Sequence, residues 1–134
     1  MDARERVLKF LKEAGAFYVA TVAEDAPKVR PHSFVMEHNG RLCFTTNNQK
    51  PTYQQLSGNP KVEICALGKN GVWMRLHGTA RFCTSIESKT AALDTMPSLK
   101  QMYSVEDDLL EVFCLENAIA DFCSMFAGTE SVTF

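Results

Sequence analysis

The chain lacks several features that would place a small protein in a particular class. In 134 residues no apolar run approaches the ~20 residues that a membrane-spanning helix needs. The N-terminus has no basic segment followed by an apolar stretch, so no secretory signal is predicted. Basic residues are not in excess: 14 Lys and Arg against 16 Asp and Glu give a net charge of −2. We therefore expect a cytoplasmic protein that binds neither membranes nor nucleic acids.

Common catalytic and metal-binding motifs are also absent. There is no G-x-S-x-G, H-E-x-x-H, G-x-x-x-x-G-K-[ST] or G-x-G-x-x-G segment, which removes the usual signatures of hydrolases and nucleotide-binding proteins. The five cysteines form no C-x-x-C pair, and the three histidines do not stand at metal-ligand spacing. These patterns predict free thiols in a reducing compartment and no metal site.

The composition itself is that of an ordinary globular domain. Hydrophobic residues make up 46% and charged residues 22% of the chain. A chain of this length buries roughly two-thirds of its unfolded surface on folding, so it needs no disulfide or metal to hold a core. No linker, repeat or low-complexity tract divides it, and we expect residues 1–134 to form one domain. Residues 101–134 contain no Lys or Arg, and we expect a solvated acidic loop at 106–108.

Hydrophobic periodicity and turn signals predict about six strands with helices around them. The expected helices cover residues 2–14, 50–56, 85–94 and 98–103. The expected strands cover residues 17–22, 28–37, 41–46, 61–67, 72–83 and 111–125. Asn39-Gly40 is a strong hairpin signal, because both residues tolerate a positive φ. Strands joined mainly by hairpins favour a closed sheet, so the expected fold is mainly β (α+β), a small antiparallel barrel with peripheral helices.

Two basic segments are candidates for chemistry. Arg30-Pro31 lies in a predicted strand whose same face carries His32. Residues 45–50, Thr-Thr-Asn-Asn-Gln-Lys, end one predicted strand and lead into a short helix. Hydroxyls, amides, a helix N-terminus and an ammonium group together favour a bound phosphate. Taken separately, each segment also has an ordinary explanation as an exposed strand residue or a turn with a solvated lysine.

The order of these segments resembles the pyridoxamine 5′-phosphate oxidase-like family of FMN-binding split barrels. The resemblance extends from about residue 4 to residue 126, nearly the whole chain. The segments that carry it are Ala20-Thr21-Val22, Val29 to Val35, Gly40 to Thr46, Lys50, Asn59 to Val62 and Val72 to Ala80.

The resemblance implies a six-stranded Greek-key split barrel that forms a homodimer with FMN bound at the interface. It implies that Arg30 and Lys50 bind the FMN phosphate, assisted by Thr45, Thr46 and Gln49. The segment Arg30, Pro31, His32, Ser33, Phe34 and Val35 would run along the flavin ring and ribityl chain. Trp73 falls where family members place a residue near the flavin, often from the second subunit. His32 and His77 are the candidates for an acid or base.

The function implied is that of an FMN-dependent oxidoreductase. It would pass electrons from NAD(P)H or another reductant through FMN to a small, planar acceptor. The full-length oxidases use Arg and Trp residues of a C-terminal segment, and residues 101–134 contain neither type. We therefore expect no pyridoxamine-phosphate oxidation, and a closer similarity to nitroimidazole-reductase-like proteins and general-stress flavoproteins.

Three other readings differ in what the barrel binds. It could hold flavin or haem as a non-catalytic sensor or store, or take a deazaflavin in place of FMN. A barrel that binds single-stranded nucleic acid is disfavoured by the net charge of −2, because such sites need a positive groove.

Overall fold

The computed structural model describes the whole chain, Met1 to Phe134. Its helices are α1 (Ala3–Ala14), α2 (Pro51–Gly58) and α3 (Ile86–Thr95), and a 3-10 turn covers Pro97–Gln101. The strands are β1 (Phe17–Ala23), β2 (Ala26–His32), β3 (Met36–His38), β4 (Arg41–Asn47), β5 (Lys61–Leu67), β6 (Val72–Phe82), β7 (Leu110–Ser124) and β8 (Gly128–Thr133). No helix combines the length and the apolar character needed to cross a membrane.

All eight strands belong to one antiparallel sheet: seven follow the order β2-β1-β5-β6-β7-β4-β3, and β8 pairs with β7 outside this order. The long strand β7 pairs with β4 through its first residues and with β8 through its last. The two edge strands, β2 and β3, follow each other in the sequence with only residues 33–35 between them. Because three residues span at most about 10 Å, the sheet must curl until its edges approach each other. The result is a barrel that is split between β2 and β3.

Local signals account for the ends of the elements. Asp2 and Glu5 form a reciprocal capping box at the start of α1, and Gly15 ends the helix with φ +78°. Asn39 and Gly40 both have positive φ, 51° and 75°, as the tight turn between β3 and β4 requires. The predictions of this helix and this hairpin are confirmed.

The predicted mainly β class and barrel architecture are also confirmed, but the structure has eight strands rather than six. The predicted strand 28–37 is divided into β2 and β3, because β2 pairs with β1 and β3 pairs with β4. A single straight strand could not pair with β1 at one edge of the sheet and with β4 at the other. The other addition, β8, is mostly exposed and lacks the apolar alternation that identifies a strand in a sequence.

The buried residues form two separate clusters. The larger one fills the barrel and contains the stacked rings of Phe44 and Phe113, whose centroids are 5.5 Å apart. The smaller one, which we call the α3 core, lies between the outer face of the sheet and α3. Its members are Phe34, Met36, Cys43, Ala92, Val112 and Cys114. The α3 core separates two of the surface pockets described below.

The acidic loop has a structural centre. Asp107 accepts hydrogen bonds from the backbone N–H groups of Ser104, Leu109 and Leu110, and its carboxylate lies 3.7 Å from the Lys89 ammonium. Glu106 and Asp108 on either side are exposed. The expected solvated loop is therefore present, with one carboxylate that orders it.

Candidate functional site

A pocket of about 190 Å³ opens at the split of the barrel, where the end of β2, the end of β4 and the start of α2 meet the 3-10 turn. We call it the Lys50 pocket. Seven of the residues singled out in the sequence line it: Pro31, His32, Ser33, Phe34, Thr45, Thr46 and Lys50. The rest of the lining is Met96, Leu99, Met102 and Tyr103. Residues up to 72 positions apart in the chain, Pro31 and Tyr103, thus form one site.

Thr46 is the most informative residue of this lining. It is only 6% exposed, and its hydroxyl is the one buried side-chain polar atom in the structure that has no hydrogen-bond partner. Buried polar groups in folded proteins almost always have a partner, because an unsatisfied one costs free energy. An orphaned hydroxyl in the wall of a pocket therefore points to a bound ligand.

Lys50 gives the pocket its positive charge. It is the N-cap residue of α2, with Pro51 in the first turn, so the side chain stands beside the positive end of a short helix. The residue is exposed, and no carboxylate lies within 4.0 Å of its ammonium, unlike that of Lys89. An uncompensated ammonium beside the Thr45 and Thr46 hydroxyls suits an anion such as a phosphate.

Arg30, the other predicted phosphate ligand, does not line the pocket. Its guanidinium donates to the Thr21 hydroxyl at 2.8 Å and to the Gln55 side-chain carbonyl at 2.7 Å. These bonds tie α2 to the two strands beneath it. Burial lowers the pKa of Arg30, but the group remains a cation close to the pocket. A direct contact between Arg30 and a phosphate stays a prediction.

His32 forms part of the pocket wall and packs against Phe17, with ring centroids 6.4 Å apart. Burial, together with the positive charges of Lys50 and Arg30, lowers the pKa of His32 to about 4. The imidazole is therefore neutral at pH 7. In that form it donates or accepts a hydrogen bond, but it is not a source of protons at neutral pH.

The remaining predicted residues lie elsewhere. Val35 is buried in the barrel core, and exposed Gln49 is bound to Asn47 and Asn48. Trp73 pairs with Cys123, which lies eleven residues along β7 from Val112, the partner of Thr45. That separation is on the order of 35 Å of strand, so Trp73 does not reach the Lys50 pocket of its own chain.

His77 is also separate from His32. It lines a different cavity, of about 510 Å³, together with Thr21, Lys61 and Glu63 among others. The two candidate acid–base histidines are therefore not brought together, and an acid or base role for either stays a prediction.

The sequence reasoning missed the four residues that close the pocket from the side of the 3-10 turn. Tyr103 is fixed there by a hydrogen bond from the Asn47 side-chain amide to its hydroxyl, at 3.1 Å. Met96, Leu99 and Met102 recur every third residue, which is the spacing that aligns side chains along a 3-10 helix. This three-residue spacing could have predicted from the sequence that these side chains share one apolar face.

The outer surface of β1, β2 and β5 carries exposed apolar side chains. Tyr18 is 51%, Val29 67% and Leu67 73% exposed. Tyr18 pairs directly with exposed Cys65, and Leu67 pairs with Trp73 on the next strand. We call this region the outer apolar face. Large apolar residues that share one exposed face are typical of protein contact surfaces.

By its fold, the protein is a split antiparallel β-barrel, and it carries a polar, cationic pocket at the split. A sequence profile of the family described as pyridoxamine 5′-phosphate oxidase matches residues 3–113, and the chain belongs to this family. The family resemblance read from the sequence is thus confirmed. A search of curated protein sequences found no match.

Solved structures agree with the family assignment. The chain is 40% identical to a NimC/NimA family protein from Clostridium acetobutylicum, with a TM-score of 0.93 over 98% of this chain and 92% of that one. General stress protein 26 from Bacillus anthracis shares the fold at 16% identity, with a TM-score of 0.76 and full coverage of both chains. A pyridoxamine 5′-phosphate oxidase-related, FMN-binding protein from Nostoc punctiforme does so at 16% identity and a TM-score of 0.56, over 98% and 91%.

Proposed function

We propose that this protein binds FMN in the Lys50 pocket and acts as a homodimeric oxidoreductase. The observation that carries the proposal is the buried, unpartnered Thr46 hydroxyl in the same pocket as an ammonium without a carboxylate partner. An FMN-binding protein among the structural relatives supports the choice of cofactor. FMN supplies one- and two-electron redox chemistry when it is bound.

The polar end of the pocket fits a phosphate. Lys50 would neutralise part of its charge, while Thr45 and Thr46 would donate hydrogen bonds from their hydroxyls. Binding there would give the Thr46 hydroxyl the partner that it lacks in the protein alone. Arg30 would add a positive field from behind α2.

The apolar end fits a flat ring system. Phe34 is buried at the pocket wall, and Met96 and Leu99 pack against the same α3 core. His32 is neutral at pH 7 and would offer a single hydrogen bond to a polar ring edge. A planar ligand needs this combination of apolar wall and few polar groups.

A second copy of the chain would complete the site. The pocket of one chain holds about 190 Å³, whereas sites for ligands of cofactor size enclose roughly 300 Å³ or more. The outer apolar face offers a surface for a second copy. Association through this face would also explain how Trp73, remote from its own pocket, could wall the pocket of the other subunit.

The electron donor is proposed to be NAD(P)H or another reductant, and the acceptor a small planar molecule. The pocket lining supports this only in its polarity, because the wall is partly apolar and carries few polar groups. The acceptor would therefore be recognised mainly by stacking and by a few hydrogen bonds.

The first test is the absorption spectrum of the purified protein, with titration of added FMN and identification of any small molecule released by denaturation. Two flavin bands and about one FMN per chain are expected. A Soret band would replace the proposal with the haem-binding alternative. A colourless protein that does not take up added FMN would overturn the cofactor assignment.

Lys50→Ala tests the position of the phosphate. Losing one charge-assisted hydrogen bond costs about 1.5–3 kcal/mol, so the Kd for FMN should rise roughly 10- to 150-fold. Lys12→Ala is the matched control, because Lys12 is an exposed lysine of α1 remote from the pocket lining. Equal affinities of the two variants would place the phosphate elsewhere.

Mixing of subunits tests the shared site. Lys50→Ala and Trp73→Ala dimers should each bind FMN weakly, and after exchange of subunits each mixed dimer should regain one complete site. The FMN titration should then show a high-affinity fraction that neither variant shows alone. If Trp73 acts within its own chain, mixing restores nothing.

A further inference from the structure

Three of the five cysteines meet in a second pocket, on the other side of the α3 core from the Lys50 pocket. This Cys83 pocket has a volume of about 380 Å³, and its lining includes Cys43, Cys83, Cys114, Arg41, Arg81 and His38. Cys43 of β4 stands directly opposite Cys114 of β7. Cys83 follows the last residue of β6, and its backbone N–H donates to the Val112 carbonyl at 2.9 Å. The three thiols are therefore neighbours on one face of the sheet.

Only one of these thiols is accessible. Cys43 is 1% and Cys114 2% exposed, because both belong to the α3 core. Cys83 is partly exposed at the edge of that core. A solute that enters the pocket would therefore meet the Cys83 sulfur, with the other two thiols behind it.

The surroundings favour the thiolate form of Cys83. Hydrogen bonding from Cys43 is the largest cause, with further help from Cys114 and from the charges of Arg41 and Arg81, and together they lower the pKa of Cys83 to about 7 against the effect of burial. The same thiol pairing raises the pKa of Cys43. One thiol is thus an anion in part at neutral pH, while its neighbour stays protonated.

The charge of the pocket is positive overall. Both arginines bind one carboxylate oxygen of Glu116, Arg41 at 2.6 Å and Arg81 at 3.0 Å. Arg41 also donates toward the Cys114 sulfur at 3.7 Å. Two guanidinium groups share one carboxylate, so one positive charge remains to stabilise a thiolate or an anionic leaving group.

We propose that Cys83 is a hydroperoxide-reactive thiol and that Cys43 or Cys114 resolves its oxidised form as a disulfide. In the first step the Cys83 thiolate attacks the terminal peroxide oxygen. An S–O bond forms, the O–O bond breaks, and the leaving oxygen takes up a proton as water or an alcohol. Sulfur loses two electrons and the peroxide gains them.

In the second step a neighbouring thiol attacks the sulfur of the Cys83 sulfenic acid. An S–S bond forms, the S–O bond breaks, and the hydroxide leaves with the proton of the attacking thiol as water. The sum is two thiols and one hydroperoxide converted to a disulfide, water and an alcohol or second water. Neither step uses the Lys50 pocket, so the proposal stands or falls independently of FMN.

The test compares the five thiols of the native wild-type protein with one another. Limiting iodoacetamide at pH 7, followed by peptide mass spectrometry, gives the alkylation rate of each cysteine. A thiol of pKa about 7 has roughly fifteen times the thiolate of a free cysteine, offset about fivefold by lower nucleophilicity, so Cys83 should react about threefold faster than a free thiol. Glutathione, a free thiol in solution, is the reference for the threefold difference. Cys65 is the comparison within the chain, where burial raises its pKa and a dimer through the outer apolar face would shield it further.

Hydrogen peroxide tests the chemistry itself. One equivalent should remove two thiols per chain and yield a peptide that joins Cys83 to Cys43 or to Cys114. Cys83→Ser should abolish this loss, whereas Cys65→Ser should leave it unchanged. In Cys43→Ser with Cys114→Ser, dimedone should trap the sulfenic acid on Cys83. Preferential oxidation of Cys65, or a peroxide-treated protein that keeps all its thiols, would overturn the proposal.

Discussion

The Lys50 pocket and the Cys83 pocket lie on either side of the same small core and are built on similar electrostatics. In each, two cations act on one titratable side chain of the pocket: Lys50 and Arg30 on His32, and Arg41 and Arg81 on Cys83. In the Lys50 pocket the positive charges lower the pKa of His32 and so favour its neutral form. In the Cys83 pocket the positive charges lower the pKa of the Cys83 thiol and so favour its anionic form.

The two pockets differ in whether their cations have a carboxylate partner, and this difference determines which anion each pocket can stabilise. Lys50 has no carboxylate partner, so its charge is available to an anionic ligand from outside. Arg41 and Arg81 are both engaged with Glu116, and the positive charge that remains acts on a thiol of the protein itself. The first arrangement suits the binding of a phosphate, and the second suits a reactive sulfur.

The largest expected effect concerns His32 and pH. Its pKa is about 4 in the folded protein and 6.5 when unfolded, so the unfolded state binds more protons between these values. The free energy of unfolding should therefore fall as the pH drops from 6.5 to 4, by at most about 3 kcal/mol. Urea unfolding of the FMN-free protein at several pH values measures this.

His32→Gln removes the titrating group and should flatten that part of the profile. His38→Gln, which changes a partly exposed histidine remote from the Lys50 pocket, is the control. An unaltered pH profile in His32→Gln would show that His32 is not held neutral by its surroundings. A bound phosphate should raise the pKa of His32 in NMR titrations, since it would offset the charge of Lys50.

The next prediction compares the stability effects of removing the Thr46 hydroxyl, which has no hydrogen-bond partner, and the Thr21 hydroxyl, which has two. Thr46→Val should stabilise the FMN-free protein by about 1 kcal/mol, because it removes a buried hydroxyl without a partner, and it should weaken FMN binding. Thr21→Val should instead destabilise the protein by about 1–2 kcal/mol, because Arg30 and Gln55 each lose one hydrogen bond.

Urea unfolding and FMN titration of both variants provide the comparison. A destabilised Thr46→Val protein with unchanged FMN affinity would mean that the hydroxyl has a structural partner and does not face a ligand.

The smallest effect tests the charge balance of the Cys83 pocket. Glu116→Gln leaves both guanidinium groups uncompensated and should lower the pKa of Cys83 by a few tenths of a unit. Its alkylation rate at pH 6 should then rise about 1.5-fold, because the gain in thiolate is partly offset by lower nucleophilicity, with no change in FMN affinity. A slower reaction would show that Glu116 holds the arginines in the positions from which they act on the thiol.

Much of the architecture could be read from the sequence, because the signals lie within a few residues of what they determine. The Asp2 and Glu5 cap, the Asn39-Gly40 turn and the apolar periods of α1 and β6 each act locally. The ordered set of segments from residue 20 to residue 80 also identified the family, which the profile match confirms. Seven of the predicted cofactor residues were close enough to the split of the barrel to share its pocket.

Tertiary structure alone decided the rest. The break of the predicted strand 28–37 follows from the two edges of a curled sheet, and Pro31 indicates an edge strand without fixing where that strand ends. Arg30 carries the charge expected of a phosphate ligand, yet Thr21 and Gln55 hold it behind α2. Trp73 and His77 were assigned by their order in the chain, but strand register sets them far from Lys50.

The cysteines show most clearly which properties follow from the sequence and which depend on tertiary structure. From spacing alone, Cys43, Cys83 and Cys114 were isolated free thiols of the core, and all five cysteines are indeed free. Their meeting depends on β7 lying between β4 and β6, so residues 40 and 31 positions apart become neighbours on one face. Sequence determined which groups were available and which turns the chain could make. Long-range strand pairing decided which of those groups touch, because hydrogen bonds between distant strands, rather than neighbours in the chain, fix the register.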